Sequence, residues 1–475
     1  MVFNSVVFLF GFLPLALLLY YLVPGRLKNA VLLLESLAFY CWTGVQYLPL
    51  IAFLVVFNYI WGVLEELLTR RRPLLLTISV LVNLAALVYF KYANFLIDSL
   101  NSLTQLGIAR LDVGAVLPLG ISYYIFKIIS YQADICSEKI KAEKDPVTFA
   151  AYVLFFPQLI VGPIIKYRDM APQLHNTRDR CTAALAQTGC ELFVFGLAQK
   201  VILADSIGAL WSDIIGTDGV GLAQVSTPLA WLGILAYSLQ LYLDFAGFSA
   251  MSNGLAAMLG FECAANFDLP YISGSITEFW RRWHISLSGW FREYIYIPLG
   301  GNRKGAARQM LNMLAVWAAT GIWHGASWNF VAWGVYYGIL LLLEKFVFGR
   351  WLEKLPAVFR HIYCMFFVML GWNLFVFEDF GSGIAYLKAL FGLYGQGLGD
   401  RETIYLLYNN AVLLVLLILG STHIPARLGG WICRKLEDRE LVRTTLRNLF
   451  YVGIFLLSVA FLVDASYNPF LYFRF

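Results

Sequence analysis

Long apolar runs separated by short polar or basic stretches set the pattern of this chain. A helix needs about 17–25 mostly apolar residues to cross a bilayer. Runs of this kind lie at residues 3–23, 30–44, 46–63, 74–97, 115–132, 184–204, 226–246, 328–348, 359–379, 405–421 and 446–464, which predicts an all-α polytopic membrane protein of about 11 transmembrane helices. Shorter or broken apolar pieces lie at 148–165, 249–261 and 311–323. No soluble domain, repeat or low-complexity segment interrupts the series, so residues 1–475 read as one integral membrane domain.

The polar positions orient these helices. Basic stretches at 24–29 (PGRLKN), 69–73 (TRRRP), 137–144 (SEKIKAEK), 165–170 (IKYRDM) and 176–180 (NTRDR) can all share one face, the cytoplasmic one under the positive-inside rule. The stretches 205–219 (DSIGALWSDIIGTDG) and 378–386 (EDFGSGIAY) carry no Lys or Arg and are expected outside. This threading places both termini outside.

Two pieces resist simple crossing. Residues 148–165 are broken by Pro157, Gly162 and Pro163 and have basic stretches at both ends. They form either a proline-kinked span or a re-entrant segment, and non-helical backbone survives at membrane depth only when buried in protein or lining a cavity. The other piece, GIWHGASWNF (321–330), follows an apolar run from Leu311 to Trp323. Those residues rise roughly 20 Å as a helix against a hydrocarbon core of about 30 Å. A chain entering from the cytoplasm would therefore turn at HGAS near mid-depth, with Gly321 and Gly325 easing the break.

Composition sharpens the class. The chain is 60% hydrophobic and 14% charged, with mean hydropathy +0.69, far from the roughly 25% charged residues of soluble domains. Its first apolar run lacks a basic n-region and a cleavage site, so it is expected to be a retained helix. The seven cysteines are scattered without a CxxC pair, which indicates neither a disulfide framework nor a metal site. The net charge of +5 fits cytoplasmic loops and gives no reason to expect nucleic acid.

Within this apolar setting few groups can do chemistry. An ionisable side chain at membrane depth is costly and marks function by default, although histidine also serves as packing glue between helices. His324 is the main candidate, a general base suited to neutral pH. Trp323 and Ser327 of the same motif are supporting candidates. His284 lies in residues 276–303, where Trp280, Trp283 and Trp290 alternate with Arg281, Arg282, Arg292 and Arg303. That segment predicts a cytoplasmic interfacial amphipathic helix, its arginines either anchored to lipid headgroups or binding donor phosphates. Asp244, inside an apolar helix, needs a partner, an arginine or a histidine, and a structural pair is its expected role. His175, His361 and His423 lie in polar stretches and read as solvated. P-loop, G-x-S-x-G, H-E-x-x-H and dinucleotide-binding patterns are missing.

The stretches LPLGISYYIFKIISYQADI, FFPQLIVGPIIKY, LDFAGFSAMSNGLAAMLGFECAANFDLPY, EFWRRWHISLSGWFREYIYIPLGGNR, GIWHGASWNF and the terminal YFRF resemble the membrane-bound O-acyltransferase (MBOAT) family. The nearest likeness is to its bacterial alginate-acetylating branch. The resemblance implies a ring of tilted helices around a funnel and a catalytic core roughly at 115–348. It implies His324 as the catalytic histidine and His284 as the second signature position, orienting the donor or stabilising the oxyanion. It also implies a cytoplasmic acyl thioester donor such as acetyl-CoA, no bound cofactor, an SGNH-type extracytoplasmic partner and a polysaccharide acceptor, in a bacterial cytoplasmic (inner) membrane. Two alternatives stand beside this reading. The same chemistry could serve peptidoglycan, teichoic acid or a lipid, or the chain could be a small-solute transporter.

Overall fold

The computed structural model describes residues 1–113, 117–177, 180–216, 225–393 and 400–464. The terminal YFRF, Thr177's two followers in NTRDR, residues 217–219 and the first two residues of the 115–132 run lie outside them. Among the described residues every regular element is a helix. Among these residues seven helices are long and apolar enough to cross a membrane, or eight if the pair Arg401–Asn409 and Ala411–Gly420, bent by 61°, is one span. This is a multi-pass membrane protein.

Fewer described helices are this long and apolar than there are apolar runs, because several runs fold into shorter helices. Phe8–Leu22 is a shorter apolar helix. Ile121–Cys136 is shorter too, 16 residues, and is buried along nearly all of its length, so its apolar residues face protein. Apolarity alone does not separate those environments. Three further expectations change. Residues 226–246 and 249–258 form one helix, Thr227–Met258. Most of the stretch at 205–219, which reads as a loop, continues as helix Asp205–Ile215. Residues 380–390 are helical, with Asp379 accepting from the Ser382 amide as N-cap.

The chain divides into two compact units, residues 1–193 with 249–265 and residues 194–248 with 266–475. In the first, residues 148–165 do not form a continuous kinked helix. The helix Pro146–Val153 ends, one tight turn spans Phe156–Gln158, and irregular backbone follows, buried through Ile164. Asp145 caps that helix through the Val147 and Thr148 amides, and Asn29 Nδ2 donates to Thr148 Oγ1 at 3.0 Å. Burial in protein is the condition that irregular backbone needs in an apolar setting. A polar cluster ties neighbouring helices nearby. Asn58 Oδ1 accepts from Ser79 Oγ at 2.9 Å, and Gln132 Nε2 donates to the Asn58 carbonyl at 2.8 Å. Each such interhelical bond contributes about 0.6 kcal/mol in a membrane.

In the second unit the helices Ala306–His324 and Trp328–Leu343 pack closely. A Cβ on Gly334 would strike the Trp317 carbonyl and lie 3.1 Å from the Gly321 Cα. Gly321 is therefore not a turn residue. It lies inside the first helix and lets the two backbones approach. Gly325 has φ −169°, which any residue can adopt, and its requirement is space, because a Cβ there would enter the Phe330 ring. The helix also starts at Ala306, five residues before the apolar run at Leu311. Its 19 residues rise about 28 Å, so the turn at His324 lies further from the helix start than the apolar run predicts.

Candidate active site

The site is built from local breaks in the segment expected to be one amphipathic helix. That segment consists of helix Ile276–Arg282, a break at Trp283 and His284, helix Ile285–Phe291 and a π-turn at Arg292–Tyr296. Its tryptophans are not a lipid belt. Trp280, Trp283 and Trp290 are all under a tenth exposed. Trp280 packs edge-on to Trp317 and Tyr337 at 4.8 Å each, and Trp283 lies 5.0 Å from Trp372. Alternating Trp and Arg marks amphipathicity, but the apolar side here meets protein.

The first of these helices is held at its N-terminus. Ser275 Oγ accepts from the Glu278 amide at 3.0 Å. Glu344, from the π-turn after Leu343, accepts from the Ile276 amide at 2.6 Å and the Thr277 amide at 2.9 Å. A carboxylate suits this end because the first amides have no helical partner and the helix dipole is positive there. The Ser275-to-Glu278 spacing is a readable helix-start signal. Glu344, far along the chain, gives none.

His284 adopts a left-handed backbone, φ 46° and ψ 55°, as the N-cap of Ile285–Phe291. For a residue other than glycine this conformation costs of the order of 1–3 kcal/mol, and such strain clusters at functional sites. The ring is 2% exposed and packs edge-on to Phe245 at 4.8 Å. Its Nδ1 lies 3.3 Å from Asn266 Oδ1. Burial pushes its pKa down to about 3, so the ring is neutral at ordinary pH.

His324 ends the helix Ala306–His324 and is 5% exposed. It stands edge-on to Trp333 at 4.9 Å and to Phe375 at 5.3 Å. Trp323 lies between the histidines, 5.0 Å from His324 and 6.0 Å from His284. Both histidines line one cavity of about 230 Å³. Arg281, Arg292 and Tyr296 line it too, and the same three residues line a neighbouring cavity of about 820 Å³. That second cavity also carries Arg303, Lys304 and Lys345, and among the described residues no carboxylate lines it.

The other candidates separate. Arg281 and Arg292 are exposed and face the cavities. Arg282 is engaged instead, bonding Asp268 at 2.9 Å and Glu278 at 3.1 Å. Asp244 meets Lys200 at 2.8 Å, not an arginine or a histidine. Lys200 also pairs with Asp205, and its side chain is fully buried. Lysine fits because its compact charge reaches between neighbouring carboxylates. Ser327 precedes the helix Trp328–Leu343 without a side-chain capping bond and does not line the cavity. His175, His361 and His423 are exposed, as expected. His175 meets Glu143 at 2.9 Å and His361 the Ser273 carbonyl at 3.2 Å. Asn266, Phe245, Trp333 and Phe375 were not legible as site residues, since they reach the histidines only through tertiary packing.

This arrangement brings two buried histidine rings to one cavity that adjoins a cationic one. The profile of the membrane-bound O-acyltransferase family matches residues 137–383. The probable alginate O-acetylase AlgI of Azotobacter vinelandii is 39% identical, with 100% of each chain covered. The peptidoglycan O-acetyltransferase of Helicobacter pylori is 32% identical over 84% of this chain and 81% of its own. The teichoic acid D-alanyltransferase of Bacillus subtilis is 27% identical over 55% of this chain and 69% of its own.

Proposed function

Because this chain belongs to the membrane-bound O-acyltransferase family, and is thus an O-acyltransferase and not a solute transporter, we propose that it moves an acetyl group from a cytoplasmic thioester, acetyl-CoA, toward an extracytoplasmic polysaccharide such as alginate. The observation that carries the donor half is the pair of adjoining cavities. A cationic space lined by Arg281, Arg292, Arg303, Lys304 and Lys345 suits several phosphates, and it shares a wall with the space of the two histidines. The acceptor half rests on the full-length similarity to alginate O-acetylases, against weaker similarity to proteins named for peptidoglycan and teichoic acid.

In this reaction His324 takes the proton of the acceptor hydroxyl as its oxygen attacks the thioester carbonyl carbon. The tetrahedral intermediate collapses, the C–S bond breaks, and the leaving thiolate receives the proton from His324. The thioester is already activated, so positioning and proton transfer supply most of what is needed. The positive-inside rule supports a cytoplasmic position for the cationic cavity, in a bacterial inner membrane with both termini outside. An SGNH-type partner would complete transfer to the polymer.

The test is transfer of labelled acetyl from acetyl-CoA in reconstituted membranes supplied with an SGNH-type partner and, in parallel, with unacetylated alginate, peptidoglycan or teichoic acid. Label in the polymer, dependent on His324, is expected. Label moving only to peptidoglycan or teichoic acid would overturn the acceptor. No consumption of acetyl-CoA, with consumption of an acylated carrier protein, would overturn the donor.

A further inference from the structure

We propose that Asn266 is a positioning residue that locks His284 as its Nδ1–H tautomer, so that Nε2 meets the substrates as a hydrogen-bond acceptor. This rests on the acyl-transfer reading of the same cavity. The argument begins with Asn266 Oδ1, which receives the Ser286 amide at 3.1 Å and Ser286 Oγ at 2.9 Å. A backbone N–H can only donate, so the Asn266 atom facing it is the oxygen and not the amide nitrogen. An amide oxygen has no hydrogen to give. The His284 Nδ1 that lies 3.3 Å from it must therefore hold the proton.

The surrounding geometry leaves little freedom to the ring. The Ile285 amide donates to the Asn266 carbonyl at 2.9 Å, which ties the two backbones together. Phe245 holds the ring edge-on, and the left-handed backbone at His284 aims it away from the course of the helix that follows. Asn266 is 2% exposed. Nε2 is buried and has no hydrogen-bond partner among the described residues, while the ring lines the reaction cavity. The ring's other nitrogen thus carries a lone pair.

This changes what His284 can do. A neutral ring with a bare Nε2 cannot donate to an oxyanion, so oxyanion stabilisation falls to other groups. It can receive an N–H or O–H from a molecule in the cavity. Two sources share that chemistry, an amide N–H of the thioester's arm and the acceptor hydroxyl.

The experiment uses the full-length protein labelled with 15N-histidine in lipid bilayers. The His284 ring signals are assigned by their loss in His284→Gln. In the wild type a protonated Nδ1 and a bare Nε2 are expected. Asn266→Leu should yield an Nε2–H or mixed tautomer and slow transfer at least tenfold, whereas Asn266→Asp, which keeps an oxygen facing Nδ1, should keep the tautomer. A higher KM for the thioester in Asn266→Leu assigns the contact to the donor. A lower kcat at unchanged thioester KM assigns it to the acceptor. An Nε2–H ring in the wild type overturns the proposal, as does transfer unchanged by Asn266→Leu. If Asn266→Leu does not fold, the wild-type tautomer and Asn266→Asp decide. A wild type inactive with every thioester would sink the acyl-transfer reading and leave the tautomer assignment standing.

Discussion

The rings of His324 and Trp333 meet edge to face, with centroids 4.9 Å apart and planes at 78°. Trp333 in turn lies 5.4 Å from Trp280, which lines the same cavity. The base is thus set in an aromatic frame that fixes its direction. Removing it should lower transfer by about 10²–10⁴. His324→Ala and His324→Gln should both be inactive yet purify with a normal elution profile. Near-normal transfer by purified His324→Gln would leave this histidine a packing residue.

The arginines should divide by their partners. Arg292→Gln and Arg281→Gln should raise the thioester KM and weaken its dependence on salt, since both line the cationic cavity. Arg282→Gln should leave that KM unchanged and lower thermal stability slightly, because Arg282 is bound to Asp268 and Glu278. Kinetics across a salt series distinguish the two classes.

Lys200 holds Asp244 at 2.8 Å in a fully buried pair. Lys200→Met should destabilise the protein by about 3–5 kcal/mol, the cost of leaving a buried charge alone. Thermal unfolding in detergent measures it. Adding Asp244→Asn should recover part of the loss, and a double variant no more stable than Lys200→Met would contradict this account.

Close backbone approach at Gly334 predicts a steric penalty. Gly334→Leu would drive a side chain into the Trp317 carbonyl and should abolish folded protein. Gly325→Val should do the same through Phe330. An exposed control, Gly429→Ala, should express normally, since nothing lies near a Cβ there. Membrane expression with a fluorescent fusion reads all three.

Acid should weaken the fold through His284. Its folded pKa, about 3, is below the ordinary 6.5, so the unfolded chain binds the proton that the folded chain refuses. Stability is then highest above about pH 6.5 and falls as pH drops toward 3. His284→Gln should flatten that part of the profile, and an identical acid slope in the variant would show that other groups set it.

Much of this protein was determined by its sequence alone. Long apolar runs announce membrane helices because a bilayer core cannot satisfy exposed backbone or charge. The histidine that opens HGAS at the end of such a run is a candidate for chemistry for the same reason. The breaks at 148–165 were legible from proline and glycine. Tertiary structure decided the rest. Ile121–Cys136 is wrapped in protein, which its apolarity does not reveal, and the tryptophans of 276–303 read as an interface belt but pack on Trp317 and Trp372. Apolar side chains favour lipid and protein alike, so hydropathy cannot tell which will cover them. Charge partners were equally hidden. That Lys200 and not an arginine meets Asp244, that Glu344 caps the helix at Ile276, and that Asn266 faces His284 all depend on residues brought together by folding, and no local spacing encodes such meetings.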